Sequence, residues 1–360
     1  MENYDLFNDE LPRKAEHLGI FPEQWLKEIY TKKSFKLFVP KELGGLALTF
    51  PQALEVEEKL AKLDGSLGWT ITLCAGAGWF VGFMEQELRK EIFLAEDLCL
   101  AGSGFVGGKA DLIDNEYHIS GGWTYASGAL HASHFTANCE IFEDGKPLLQ
   151  ADGTAKVKAF ILRKEEVKVL DGWNYMGMIA TGSHAFEVND LRVPVNRSFE
   201  IAPDKTQLAD PIYKFPFLQF AEATLAVNIL GISLHLKELI SASFWKRNDY
   251  RKYDSVQLEY FDKLFSKQTK KLTKARMAFY KQVELAWDEL NEFGELSEKR
   301  QVKISKSSRK LTQQCREVNA KLYPFAGLEA AKTHTEQNRV WRDFNTVSQH
   351  ALLTFPFLKK

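Results

Sequence analysis

The chain has 360 residues, 45% of them hydrophobic and 26% charged, and its 47 Lys and Arg against 48 Asp and Glu leave a formal net charge of −1. That length supports two or three domains around a large buried core, and so even a charge balance gives no pointer to a nucleic acid or other polyanion. The four cysteines, Cys74, Cys99, Cys139 and Cys315, form no C-x-x-C pair, which argues against a zinc knuckle or a disulfide framework and for reduced thiols in the cytoplasm.

The N-terminus, Met1-Glu2-Asn3-Tyr4-Asp5, is acidic and polar, unlike a secretory signal. From there to about residue 95 the pattern is helical. Leu54, Val56, Leu60 and Leu63 lie on or near one face of a helix over residues 51–62, with Pro51 in its first turn. Asp64-Gly65-Ser66 breaks that pattern. A second helix runs through Leu67, Ile71, Leu73 and Ala75, and a third from Glu85 to Phe93.

Residues 96–205 change character. Short apolar runs alternate with turn signals at Asp114-Asn115, Gly121-Gly122, Asp144-Gly145, Asp152-Gly153 and Asn189-Asp190. Residues 156–162 alternate apolar and polar, and Phe186-Glu187-Val188 and Leu191-Arg192-Val193 flank a turn. Such spacing predicts a small β-sandwich or barrel.

Long helices return over residues 206–360. The apolar run from Thr224 to Leu236 is too short to span a bilayer and reads as a buried helix. Asp254-Ser255-Val256-Gln257 has the form of a capping box, Gly294 is a stop, and Ser297 caps the next helix, which Pro324 and Gly327 end. The last helix is expected from Glu329 to Leu353, with His350 near its end. The Lys-rich stretch from Lys263 to Lys274 also carries Phe265 and Leu272, so it reads as a solvated helix face rather than a nucleic-acid patch. The class is therefore α+β and mostly α, with an N-terminal helical domain (1–95), a central β domain (96–205) and a C-terminal helical bundle (206–360). Strands and helices do not alternate, which excludes a doubly wound sheet.

Gly102-Ser103-Gly104-Phe105-Val106-Gly107 fits G-x-G-x-x-G. A dinucleotide site needs a helix directly after the glycines, and residues 109–117 read as strand and turn instead. His131 and His134 form H-x-x-H without the further ligands of a metal site, so no metal is expected. The informative segment is Trp123-Thr124-Tyr125-Ala126-Ser127-Gly128, a strand that breaks at a Ser-Gly step. Period-2 alternation would put Trp123, Tyr125 and Ser127 on one face, two aromatics and a hydroxyl suited to a flat heteroaromatic ring. The plainer readings are core aromatics and a Ser that satisfies nearby backbone. His350 read alone is a helix-terminal His, and Trp341, Arg342 and Asp343 a surface network.

Taken together, Leu37-Phe38-Val39-Pro40-Lys41-Glu42-Leu43-Gly44-Gly45, the Gly121–Gly128 strand, Thr181-Gly182-Ser183-His184 with Val193-Pro194, and Asn338-Arg339-Val340-Trp341-Arg342-Asp343 resemble the acyl-CoA dehydrogenase superfamily over nearly the whole chain. The Thr-Gly-Ser-His segment and the Trp-Arg-Asp segment followed by a His are more similar to its two-component flavin-dependent monooxygenases, the group D hydroxylases. The resemblance implies a C-terminal four-helix bundle, commonly assembled as a homotetramer. It implies reduced FMN or FAD delivered by a separate flavin reductase, and attack by oxygen, through a flavin peroxide, on a small aromatic or hydrophobic substrate. It assigns Ser127 to the flavin N5 nitrogen, Tyr125 to an aromatic beside the ring, and His350 to the histidine at the reactive edge. Trp341 and Arg342 frame that edge, and Trp123 and Ser183 join the cofactor set. Trp79, Phe80 and Phe83 are candidates for apolar walls.

Two alternatives accompany that reading: an FAD-dependent acyl-CoA dehydrogenase and a non-catalytic flavin-fold protein. Against the first, residues 345–351 hold no Asp or Glu where such dehydrogenases often carry their base. Ile179 stands where relatives often have an Arg in Gly-Met-Arg-x-Thr-Gly-Ser.

Overall fold

A computed structural model describes residues 10–358; the acidic stretch Met1–Asp5 and residues 359–360 lie outside them. Five helices come first: α1 (Glu10–Leu18), α2 (Glu23–Thr31), α3 (Phe50–Leu63), α4 (Gly65–Gly78) and α5 (Gln86–Phe93). Thr49 and Gln52 close a capping box at the start of α3, with Pro51 in its first turn. Asp64 ends α3 and starts α4, its carboxylate accepting from the Leu67 N–H at 3.0 Å. One short side chain thus sets the corner between two helices.

Eight strands follow: β1 (Leu100–Ile113), β2 (Glu116–Trp123), β3 (His134–Glu143), β4 (Lys146–Pro147), β5 (Val157–Arg163), β6 (Lys168–Leu170), β7 (Ala185–Pro194) and β8 (Ser198–Phe199). They form one hydrogen-bonded sheet in the order β6-β7-β2-β1-β3-β5-β8, with β4 beside β3. Only the β1–β3 pair is parallel. The Gly102–Gly107 run lies inside β1, where the pairing with β3 shifts register, and more strand follows it. Strand and not helix follows these glycines, which excludes the strand-glycines-helix arrangement of a dinucleotide site. The turn expected at Asn189-Asp190 is instead a break within β7. Asp190 takes a φ of 49° and the register slips beside it, so the extra residue is absorbed as a bulge.

The C-terminal helices are α6 (Phe217–Arg251), α7 (Ser255–Phe293), α8 (Glu298–Leu322), α9 (Glu336–Val347) and α10 (Ala351–Thr354). Asp254 and Gln257 make the capping box of α7, Gly294 ends it at a φ of 75°, and Ser297 caps α8. The single long last helix is not formed. Thr335 accepts from the Asn338 N–H and starts α9, and the His350 ring accepts from the Leu352 N–H and starts α10. Two side-chain caps therefore cut one apolar pattern into separate helices.

At 35 residues, α6 is much longer than its most apolar run suggests. It packs against α3 and α4 and also against α8 and α9. A helix covered on several sides is apolar all round rather than striped. By length and composition, α6 and the segment Gly65–Phe83 could each cross a membrane, but 78% and 89% of their apolar windows are buried inside the fold. The N- and C-terminal helices share one hydrophobic core, while the sheet encloses a second around Trp123, Phe135, Phe160 and Phe186. Trp79, Phe80 and Phe83 belong to the first. Trp79 stacks on Phe217 and Phe220 and meets Phe83 edge-on, Phe80 packs at a tilt on Phe199, and the Trp79 indole donates to the Ile212 carbonyl at 2.9 Å.

Candidate functional site

Beyond Trp123 the chain leaves the sheet. Tyr125 turns into the left-handed region at a φ of 65°, which ends the alternation. The Ala126 N–H donates to the His184 carbonyl at 3.1 Å and the Gly128 N–H to the Thr181 carbonyl at 2.9 Å. These bonds tie the Ser-Gly step to the Thr181-Gly182-Ser183-His184 segment. Gly128 has a φ of 80°, and a Cβ there would come within 2.9 Å of the Cys74 sulfur, so both backbone and space exclude a side chain.

Three of the expected residues do not share one face. Trp123 is fully buried in the sheet core, stacked on Phe186 with ring centroids 5.0 Å apart, and its Nε1 donates to the Asn138 carbonyl. It is a residue of the sheet core, with no exposed surface. Tyr125 is 59% exposed and points away from that core, with its hydroxyl bonded to that of Tyr175 and its ring edge-on to Trp173. Trp173 and Tyr175 stack on each other at 4.1 Å. The positive φ at Tyr125 is what separates the two neighbours of the Ser-Gly step.

Ser127 is 4% exposed and sits under α4. Its Oγ accepts from the Trp69 indole at 3.2 Å and lies 2.8 Å from the Ser183 hydroxyl. Ser183 in turn lies 2.6 Å from the Thr181 hydroxyl, which donates to the Met178 carbonyl at 2.7 Å. The other face of the Ser-Gly step meets two free thiols, Cys74 and Cys99, 3.6 Å apart.

His350 reaches the same neighbourhood from the far end of the chain. Its ring centroid is 5.9 Å from that of Trp69. Trp69 therefore touches both the hydroxyl and the imidazole, and it is the residue that sequence reasoning missed. Inside an apolar helix such as α4, a Trp carries no signal that distinguishes it from core. Burial holds the His350 ring below the usual His range. Its Nδ1 takes the Leu352 N–H at 3.4 Å, so in the neutral ring the proton resides on Nε2.

The remaining predicted residues are committed to the protein. Arg342 donates to the Met176 carbonyl, to Asn338 and to the Glu16 carboxylate, and so staples α1 and the loop before Gly177 onto α9. These three partners hold the guanidinium in place at the edge of α9. Trp341 stacks on Tyr323 at 5.1 Å against the helical core. Gly177 lies against α9 so closely that a Cβ would fall 2.3 Å from the Arg342 carbonyl, which is why the loop can dock there.

Asp343, by contrast, is buried and accepts from the Met178 N–H. The buried Arg339 guanidinium pairs directly with Asp64, and its charge also acts on Asp343. Burial first, and the Asp64 charge second, push Asp343 up to about 7. Ile179 lines the same small void as Asp64, Arg339 and Asp343. The cation at this point is thus supplied by α9 and not by position 179.

His131 and His134 also have protein partners. The His131 Nε2 accepts from the Phe21 N–H at 3.1 Å, its ring stacks on Phe21, and burial pushes it down to about 4. His134 lies 3.1 Å from the Ser133 hydroxyl. Among the described residues no group of three or more His, Cys, Asp or Glu is arranged to hold a metal.

Residues 259–355 match the family described as "Acyl-CoA dehydrogenase, C-terminal domain". The chain is 32% identical over 203 residues to a pigment production hydroxylase of a Rhodococcus species, an alignment covering 53% of this chain and 50% of that protein. It is 24% identical over 327 residues to an indole-3-acetate monooxygenase of Acinetobacter baumannii, covering 89% of this chain and 80% of the other. Thus the chain spans only half the length of the first of these relatives. Among solved structures, a 3-HSA hydroxylase from Rhodococcus sp. RHA1 superposes with a TM-score of 0.87 at 20% identity, over 96% of this chain and 89% of that one. XiaF from a Streptomyces species, in complex with FADH2 and glycerol, superposes with a TM-score of 0.84 at 19% identity, with the same coverage. The fold is that of these solved structures, and over residues 259–355 the chain matches the acyl-CoA dehydrogenase C-terminal family. Within that class the chain resembles proteins named as hydroxylases and monooxygenases.

Proposed function

We propose that this chain is the oxygenase component of a two-component flavin-dependent monooxygenase, acting on a small aromatic or hydrophobic substrate with reduced flavin supplied by a separate reductase. The observation that carries this reading is Trp69, one indole that donates to a buried hydroxyl and lies beside a half-buried imidazole. The residues fit a flavin. Ser127 supplies a buried hydroxyl oxygen for a ring N–H, the Trp69 indole a flat apolar wall, and Tyr125, Trp173 and Tyr175 an exposed aromatic patch one turn from Ser127. Bound in its reduced form, flavin supplies the electrons that activate oxygen.

The protein's own share of the work is positional. Ser127 holds a ring N–H in a hydrogen bond, and Trp69 fixes Ser127 while keeping water from it. His350, half-buried and held toward its neutral form by desolvation, would present Nε2–H as a donor toward developing negative charge. That arrangement favours proton donation over the base role that a histidine here could also take. These contacts would fall on the isoalloxazine ring, which FMN and FAD share. The homotetramer expected by resemblance is supported by Val256, Tyr260, Met277 and Phe293, large apolar side chains left exposed along α7. Four unpaired thiols support a cytoplasmic setting.

The test is anaerobic mixing of the purified protein with reduced FMN or FAD, then oxygen, with and without phenolic and indolic probes. The reading expects a protein nearly colourless as isolated that yields hydroxylated product only when reduced flavin is added. A yellow protein whose colour bleaches with an acyl-CoA would overturn it in favour of the dehydrogenase, and failure to bind any flavin would favour the non-catalytic alternative.

A further inference from the structure

The hydroxyls around Ser127 form a chain whose direction is fixed at one end. A carbonyl has no proton to give, so the 2.7 Å contact between Thr181 and the Met178 oxygen is a donation by Thr181. The single hydroxyl proton of Thr181 is then used, and the 2.6 Å contact with Ser183 must be Ser183 donating. By the same count, the 2.8 Å contact between Ser183 and Ser127 is a donation by Ser127. An indole N–H can only donate, and that of Trp69 occupies one lone pair of Ser127 Oγ at 3.2 Å. Ser127 is left with no proton to offer and one lone pair free. Thr181, Ser183, Ser127 and Trp69 are all buried, so bulk water does not reset these directions.

We propose that Thr181 and Ser183 are positioning residues that hold Ser127 as an obligate acceptor and thereby make the site select the redox form of flavin it binds. This rests on the flavin reading above. Reduced flavin carries an N–H at N5, whereas oxidised flavin has a bare lone pair there. An acceptor-only hydroxyl bonds the first and opposes the second. Cutting the chain at Thr181 frees Ser183 to donate back to Ser127, and Ser127 to donate outward, so the preference narrows.

The experiment is anaerobic titration of the full-length protein with reduced and with oxidised FMN and FAD, read as the ratio of the two dissociation constants. The wild type is expected to bind the reduced form more tightly. Thr181→Val, which keeps the side-chain shape and removes the hydroxyl, should narrow that ratio about tenfold, the scale of one buried hydrogen bond made or left unmade. Thr181→Ser should restore it. Ser183→Ala cuts the chain one link nearer and serves if Thr181→Val does not fold. An unchanged ratio in the folded cut variants overturns the inference, as does a ratio that narrows equally in Thr181→Ser. Wild-type protein that binds neither form overturns the flavin reading itself, an outcome distinct from the first.

Discussion

Replacing Asp343 with Asn tests the buried charge cluster that carries the segment from Met178 to Ser183. Asp343 and Asp64 are both buried; Arg339 pairs directly with Asp64, and its charge also acts on Asp343. Asp343 titrates at about 7 because burial, and then the Asp64 charge, oppose its ionisation. In the unfolded chain an Asp titrates near ~3.9. Between those values the folded state binds more protons than the unfolded, so the stability of the wild type falls as pH rises from about 4 to about 7. At about 1.4 kcal/mol per pH unit, a gap of roughly 3 units sets a ceiling of ~4 kcal/mol on the loss. Asp343→Asn has no proton to lose, and its amide oxygen can still accept the Met178 N–H. In urea denaturation at several pH values, the variant should gain on the wild type by a few kcal/mol more above the titration than below it. A difference between the two proteins that is flat in pH, or that grows in the acid direction, refutes the charge argument.

Four further outcomes bear on the site. His350→Asn keeps a good helix cap for α10 while removing the imidazole, so product formation should fall by about 10²–10⁴ with melting temperature and flavin affinity held; normal turnover would remove His350 from the chemistry. Because burial lowers the His350 pKa, the acid limb of the pH–rate profile should lie below ~6.5, and a limb at or above that value contradicts a half-buried, neutral ring. Ser127→Ala should release more hydrogen peroxide per substrate hydroxylated, measured with a peroxidase-coupled dye, and an unchanged yield argues against its holding the ring N–H. Trp123→Phe should lower stability by about 1–3 kcal/mol through the lost Asn138 bond and ring contact, with flavin affinity unaltered; weakened flavin binding in a folded variant would return Trp123 to the site.

What the sequence discloses about this chain is the local chemistry. The Asp254 box, the Gly294 stop and the Ser297 cap each act within a few residues, so they could be read directly and α7 and α8 follow. The division at residues 332–335 and 348–350 could not. There the deciding event is a side chain turning back to bond its own backbone, and the apolar spacing is the same with or without it. Parity failed beyond Trp123 for a similar reason. A non-glycine residue with positive φ carries no mark in the sequence, and one such residue at Tyr125 parts two aromatics that alternation would unite. Ser183 was legible only by resemblance. Its contact with Ser127 arises from two loops pinned together by backbone bonds, a relation that no spacing records.

Trp69 comes from a helix formed early in the chain, Ser127 from the end of a strand, and His350 from the start of the final helix, α10. No contiguous fragment owns this constellation. Every native connection among the three crosses from one region to another, and the helices at either end of the chain must close into a common interior before they meet. Catalytic competence is therefore a late milestone of maturation, so recovery of turnover after dilution from denaturant should lag behind recovery of helix signal. Comparing the two time courses would show when the last junction shuts.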